Sequence, residues 1–212
     1  MKELDLLKKA WQKETHSFQQ VTESEIYRMI HERSSSIVKW ILIISIVEVC
    51  FWALTSVFFN TDEYMTKLHA EALNPFFKGL TFVNYAVILF FIYSFYKNYL
   101  KISTTATTKQ LMQDILKTRK TVRFYVYYNL SMIVFSFIAG LIIAFEYNPK
   151  MDALKYKIAH ESDHHALFIT IAIMLGFILV FFGAFWLFYR LLYGILLRKL
   201  HRNYKELQKI DL

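Results

Sequence analysis

Glu48 is a carboxylic acid in the middle of an apolar run, VKWILIISIVEVCFWALTSVFF, that extends from Val38 to Phe59. A charged side chain at the centre of a membrane-spanning helix costs about 3 kcal/mol on insertion scales. Such a group is expected to find hydrogen-bond partners inside a helix bundle. The polar side chains on offer in the other apolar runs are Asn84, Asn129 and a tyrosine such as Tyr85. Two roles suit the carboxyl: a polar clamp between helices, or the proton or cation site of a small transporter. Apart from Lys39 and Lys78 at the run edges, no second acid or base accompanies Glu48 inside an apolar run. A lone carboxyl makes a poor relay, so the clamp is the favoured reading.

A second group precedes the last apolar run. His160-Glu161-Ser162-Asp163-His164-His165 begins with the pattern H-E-x-x-H. On a helix, His160 and His164 would share a face and bind zinc, with Glu161 as general base. The candidate metal set is His160, His164, Glu161, His165 and, from the other connecting loop, His69. Asp163 occupies a position that zinc proteases keep uncharged, and the chain turns apolar at once, so a hydrolase is disfavoured against a solvated helix start. Protonating His160, His164 and His165 below about pH 6.5 would make this face more positive. Small residues form a third group. Ser136 and Gly140 lie four apart, and Gly176 and Gly183 seven apart, each pair on one helical face. Such notches favour close helix approach, here of the third run on the fourth, or alternatively between copies of the chain.

These side chains require long apolar elements to hold them. Four runs qualify as spans: about 38–59, 76–96, 124–145 and 166–189, the last extending toward residue 197. Each approaches the roughly 20 residues that cross a bilayer. Apolar residues make up 56% of the 212 and charged residues 20%, so too little polar sequence remains to cover four buried helices in water. The expected fold is all-α: a polytopic four-helix transmembrane bundle with short cytoplasmic amphipathic helices. Residues 1–37 form an N-terminal cytoplasmic segment, 38–197 the transmembrane domain, and 198–212 a tail.

Basic residues orient it. Lys and Arg number seven up to and including Lys39, seven between the second and third runs, and six after the fourth. The other two loops hold five together. The positive-inside rule puts both termini in the cytoplasm. Trp40, Tyr96, Phe124, Tyr125, Trp186 and Tyr189 then fall at the inner interface as an aromatic belt. The formal charge of +8 is read as attraction to lipid headgroups, with no nucleic-acid partner implied.

The polar segments also read as helical. Leu4, Leu7 and Trp11 share a face suited to a protein partner or to the membrane surface. Thr22-Glu23-Ser24-Glu25 has capping-box spacing, and a helix started there runs into the first span. Leu111 and Ile115 mark an apolar side of the segment 107–122. No P-loop, CxxC or nucleophile elbow occurs, and no proline interrupts a run.

The stretch Leu4–Trp52, with its Leu-Leu-Lys-Lys-x-Trp, Ile26-Tyr27-x-Met-Ile-His and Ser34-Ser35-Ser36-Ile-Val-Lys-Trp, resembles an uncharacterised family of small four-span bacterial inner-membrane proteins. Some relatives lie beside extracytoplasmic-type sigma factors, which implies a membrane-held regulator. The resemblance assigns no site residues. The expected role is a non-enzymatic inner-membrane scaffold, regulator or accessory subunit with a protein partner or as a homo-oligomer. A Glu48-coupled transporter and a zinc-binding protein are the alternatives, and zinc is the only cofactor the residues suggest.

Overall fold

The computed structural model describes residues 22–59, 61–105, 107–160 and 164–210. The Leu4/Leu7/Trp11 face and Glu161 lie outside them. The described chain is helical, with α1 Glu23–Phe58, α2 Thr61–Lys67, α3 Asn74–Thr104, α4 Thr108–Tyr147, α5 Asp152–His160 and α6 His164–Ile210. Single 3-10 turns at Glu71–Leu73 and Pro149–Met151 complete the connections.

Four of these helices are long and apolar enough to cross a membrane, as in a multi-pass membrane protein. They run alternately up and down. α1 packs beside α3, α3 beside α4, α4 beside α6 and α6 beside α1, while the diagonal pairs, α1 with α4 and α3 with α6, touch least. The helices have 36, 31, 40 and 47 residues. At 1.5 Å per residue they are about 45–70 Å long, against about 30 Å of hydrocarbon. All four therefore overshoot a bilayer.

The overshoot lies at one end and has its own core. Ile30 and Val38 of α1, Ile102 of α3, Leu111 and Ile115 of α4, and Leu200 and Leu207 of α6 form one buried cluster. Most of these residues lie outside the apolar runs. The polar segments are thus continuations of the spans, packed together as a stalk.

One spacing explains how stalk and spans share a bundle. Buried residues on α4 fall at 111, 115, 118, 122, 125 and 129. On α1 they fall at 34, 38, 41, 45 and 48, and on α6 Tyr189, Tyr193, Leu200, Asn203 and Leu207 keep the same steps. Alternating steps of four and three keep one seam facing the partner helices, as in antiparallel coiled coils. The seam carries polar residues too: Ser34, Ser45, Glu48, Asn98, Thr118, Asn129 and Asn203. Asn203 Nδ2 donates to Ser34 Oγ at 2.9 Å and ties α6 to α1 within the stalk.

Caps set the helix ends. Thr22 Oγ1 accepts from the Glu25 backbone N–H, and Glu25 accepts from the Thr22 N–H at 2.9 Å, a complete capping box. At the far end of the bundle α2 stops in a Schellman turn. The His69 N–H donates to the Thr66 carbonyl and the Ala70 N–H to the Met65 carbonyl. His69 takes φ 54°, the left-handed conformation this turn demands. Met65, Leu68 and Ala70 then pack on Ile143 of α4.

Candidate functional site

Glu48 occupies a seam position of α1, two heptads above Ser34, and is buried. Three tyrosine hydroxyls converge on it. Tyr125 of α4 donates to Oε2 at 2.9 Å, Tyr193 of α6 donates to Oε2 at 3.1 Å, and Tyr189 of α6 donates to Oε1. Tyr189 and Tyr193 are four apart, so both project from one face of α6. Their rings stack at 5.9 Å and 16°. Tyr125 meets Tyr193 edge-on at 5.7 Å, and Phe91 and Phe95 of α3 meet Tyr125 edge-on at 5.5 and 5.3 Å. The site draws on all four long helices: acid from α1, aromatic wall from α3, donors from α4 and α6.

The packing leaves little of the site open to solvent. Tyr125, Tyr189 and Tyr193 are 0%, 2% and 1% exposed and Glu48 is 9% exposed. No salt bridge reaches Glu48 among the described residues. Both oxygens are instead met by neutral donors, the arrangement a buried carboxyl requires once water is excluded.

This differs from what the sequence suggested in two respects. The expected partners are engaged elsewhere. Asn84 accepts from the Tyr128 hydroxyl at 3.0 Å, Asn129 Nδ2 donates to the Tyr125 carbonyl at 2.9 Å, and Tyr85 lines a cleft beside Lys78. The partners Tyr125 and Tyr189 belong, by their place in the sequence, to the expected inner aromatic belt. Trp40, Tyr96, Phe124 and Trp186 do stay exposed, but those two tyrosines turn inward because they fall on the seam. Depth is the second difference. Glu48 is central in its own apolar run, yet it registers against Tyr125 and Tyr189, next to Arg123 and Arg190. The first run starts lower than the others, so the carboxyl sits near the basic end of the bundle. The heptad steps, followed up from Leu111 or back from Leu207, were the signal that locates these tyrosines.

The remaining candidates disperse. A Cβ added at Gly140, Gly176 or Gly183 would meet no atom within 4 Å, and Ser136 is exposed. Within one chain these residues mark no close approach. α4 meets α6 in this region through bulky rings, with Phe137 and Phe181 4.9 Å apart. Among the described residues no three His, Cys, Asp or Glu side chains gather to hold a metal. His69 closes the turn after α2, and His165 is exposed at the start of α6; the side chains of His160 and His164, with Glu161, lie outside what the structure describes. At the same far end, an open cleft of about 500 Å³ lies between the end of α1 and the start of α3, with a Lys78–Asp62 ion pair at 2.9 Å on its wall.

A family model described as a domain of unknown function (DUF8845) matches residues 24–212. The chain belongs to the DUF8845 family. The Glu48 cluster and the whole stalk core lie inside the DUF8845 range, whereas the Leu4/Leu7/Trp11 face precedes it. No curated protein and no solved structure matches the chain.

Proposed function

We propose that this DUF8845 protein is a non-enzymatic integral membrane protein, a scaffold, regulator or accessory subunit of a membrane complex or signalling system. It resides in the inner (plasma) membrane with the stalk and both termini in the cytoplasm. The observation that carries this reading is the sealed Glu48 cluster: one carboxyl, three phenol donors, and side chains packed to near-zero exposure. A site that moves ions or turns over substrate needs room and a path. A clamp needs the reverse, and three donors on two carboxyl oxygens with little exposure support that reading. Orientation rests on the basic residues. The antiparallel order gathers the start of α1, the end of α3, the start of α4 and the end of α6 at the stalk end; these carry sixteen of the twenty-five Lys and Arg, and the sequence before α1 adds four.

Recovery of partners from cross-linked membranes tests the interaction claim. The intact chain is compared with one in which Leu4, Leu7 and Trp11 are made polar. Loss of specific partners is expected, and an unchanged partner set would remove the claim. Glu48→Gln separates clamp from transporter. The clamp lowers thermal stability and leaves proton and cation flux in proteoliposomes at background for both proteins. Flux in the wild type that Glu48→Gln abolishes would replace this reading with a transporter.

A further inference from the structure

Arg119 of α4 and His201 of α6 meet in the stalk, with Arg119 Nη1 2.8 Å from His201 Nδ1. A guanidinium has only donors, so Nδ1 accepts and the imidazole keeps its proton on Nε2. This is an unusual contact between helices, because both partners are bases. It leaves Arg119 Nε buried without a partner. Two more cations join. Arg123 lies one turn along α4 from Arg119, and Lys205 one turn along α6 from His201, each close enough to act on its neighbour electrostatically. None of the four forms a salt bridge among the described residues. The nearby acids are committed elsewhere: Asp114 of α4 faces the Thr105 hydroxyl at 3.1 Å, and Glu206 of α6 pairs with Arg202 at 3.6 Å.

The depth of this group is informative. Arg123 immediately precedes the apolar run that begins at Phe124. Arg119 and its partner His201 lie about 6 Å farther out. The headgroup layer is about 5–7 Å thick on each side of the hydrocarbon. Arg123, Arg119 and the His201 ring therefore cross that layer where α4 meets α6, and Lys205 lies one further turn out. Arg119 and Arg123, four apart on one helix, repel each other, and an anion between them relieves that repulsion.

We propose that the groove formed by Arg119, Arg123, His201 and Lys205 binds a phosphate anion, carried by the headgroup of an anionic phospholipid or by a soluble phosphate compound. Arg119 and Arg123 supply planar donors for the phosphate oxygens. His201 reports occupancy. Burial and the Arg119 and Lys205 cations hold its pKa below the usual imidazole value, and a bound anion opposes the two cations. The proposal rests on the chain being embedded in a bilayer, and retention of the protein in carbonate-washed membranes checks that separately.

The test follows the His201 imidazole by NMR titration in nanodiscs, alongside lipid retention by native mass spectrometry. Nanodiscs of phosphatidylglycerol, of phosphatidylcholine, and of phosphatidylcholine with inorganic phosphate are compared. His201 should titrate at higher pH with an occupant than in phosphatidylcholine alone. A response to phosphatidylglycerol only assigns the site to lipid headgroups, and an equal response to inorganic phosphate assigns it to a soluble anion. Arg123 makes no hydrogen bond among the described residues, so Arg123→Gln should fold and weaken retention about fivefold, the weight of one basic residue at a membrane surface. Lys120→Gln removes the same charge within one turn, from a side chain that lies over the Phe124 ring and outside the Arg119–His201 contact, and should change retention less than twofold. Equal losses in the two variants, or no His201 response to either anion, would overturn the proposal.

Discussion

Glu48 and its tyrosines act as a unit whose members differ in what their removal leaves behind. A single Tyr→Phe change at 125, 189 or 193 deletes one donor and should cost about 1–3 kcal/mol, the range for hydrogen bonds to a carboxylate. Glu48→Ala should cost more than any one of them, because it strands three buried hydroxyls and opens a void. Glu48→Gln should fall between, since its amide offers one acceptor oxygen in place of two. Thermal or denaturant unfolding in detergent gives the order, and a Glu48→Ala variant as stable as wild type would refute the clamp. His69 behaves differently. It holds a left-handed backbone that costs a side-chain-bearing residue about 1 kcal/mol, so His69→Gly should stabilise the α2 turn by up to that amount in the same unfolding assay. Glu48 was legible in the sequence as an acid among apolar residues. Its partners were not, because depth judged from where each apolar run begins places Tyr125 and Tyr189 at the interface. The run edges mark where charge starts, whereas the seam marks what is buried, and here the two differ by several residues between helices.

At the scale of helices, the stalk depends on the same seam carried past the apolar runs. The capping box at Thr22 was visible as four residues and forms as the spacing requires. The packing of α1, α3, α4 and α6 beyond the apolar region was harder to read. Segments such as 107–122 carry apolar residues at two positions per heptad, a stripe that serves a membrane surface or a bundle equally well. Only the neighbours decide between them. His201 gives this packing a pH signature. Its folded pKa lies below the unfolded value, so the unfolded chain binds more protons on acidification and the folded state loses ground. The contribution from neutral His201 is present above about pH 6.5 and declines as pH falls below that value. Stability measured from pH 7.5 to 5 should therefore fall more steeply for wild type than for His201→Gln. Parallel curves would show that the Arg119–His201 contact does not respond to protonation.

Across the whole molecule, the four apolar faces show how sequence and surroundings divide the work. Phe58, Val57 and Phe82 are 82%, 79% and 77% exposed, and large apolar side chains cover the upper part of every long helix. A surface of this kind belongs in lipid. The seam is closed from Leu207 to Glu48 and thins above it, since no described residue of α6 before Tyr189 is buried. Order is thus concentrated in the stalk and the inner part of the spans, with the Glu48 cluster at the top of the closed section. The number of spans and their order were legible from composition and run length alone, because apolar length is a property of each segment. The continuous bundle was not, because it depends on register between segments far apart in the chain.

Amide hydrogen exchange in lipid nanodiscs addresses that continuity most directly. If the stalk is a packed extension of the bundle, peptides from Leu111–Val122 and Arg198–Leu207 should exchange as slowly as those around Tyr125 and Tyr193, and Glu48→Ala should accelerate all of them together. Exchange of the stalk peptides within seconds, with the region around Tyr125 still protected, would contradict the account by showing separate surface helices in place of one bundle.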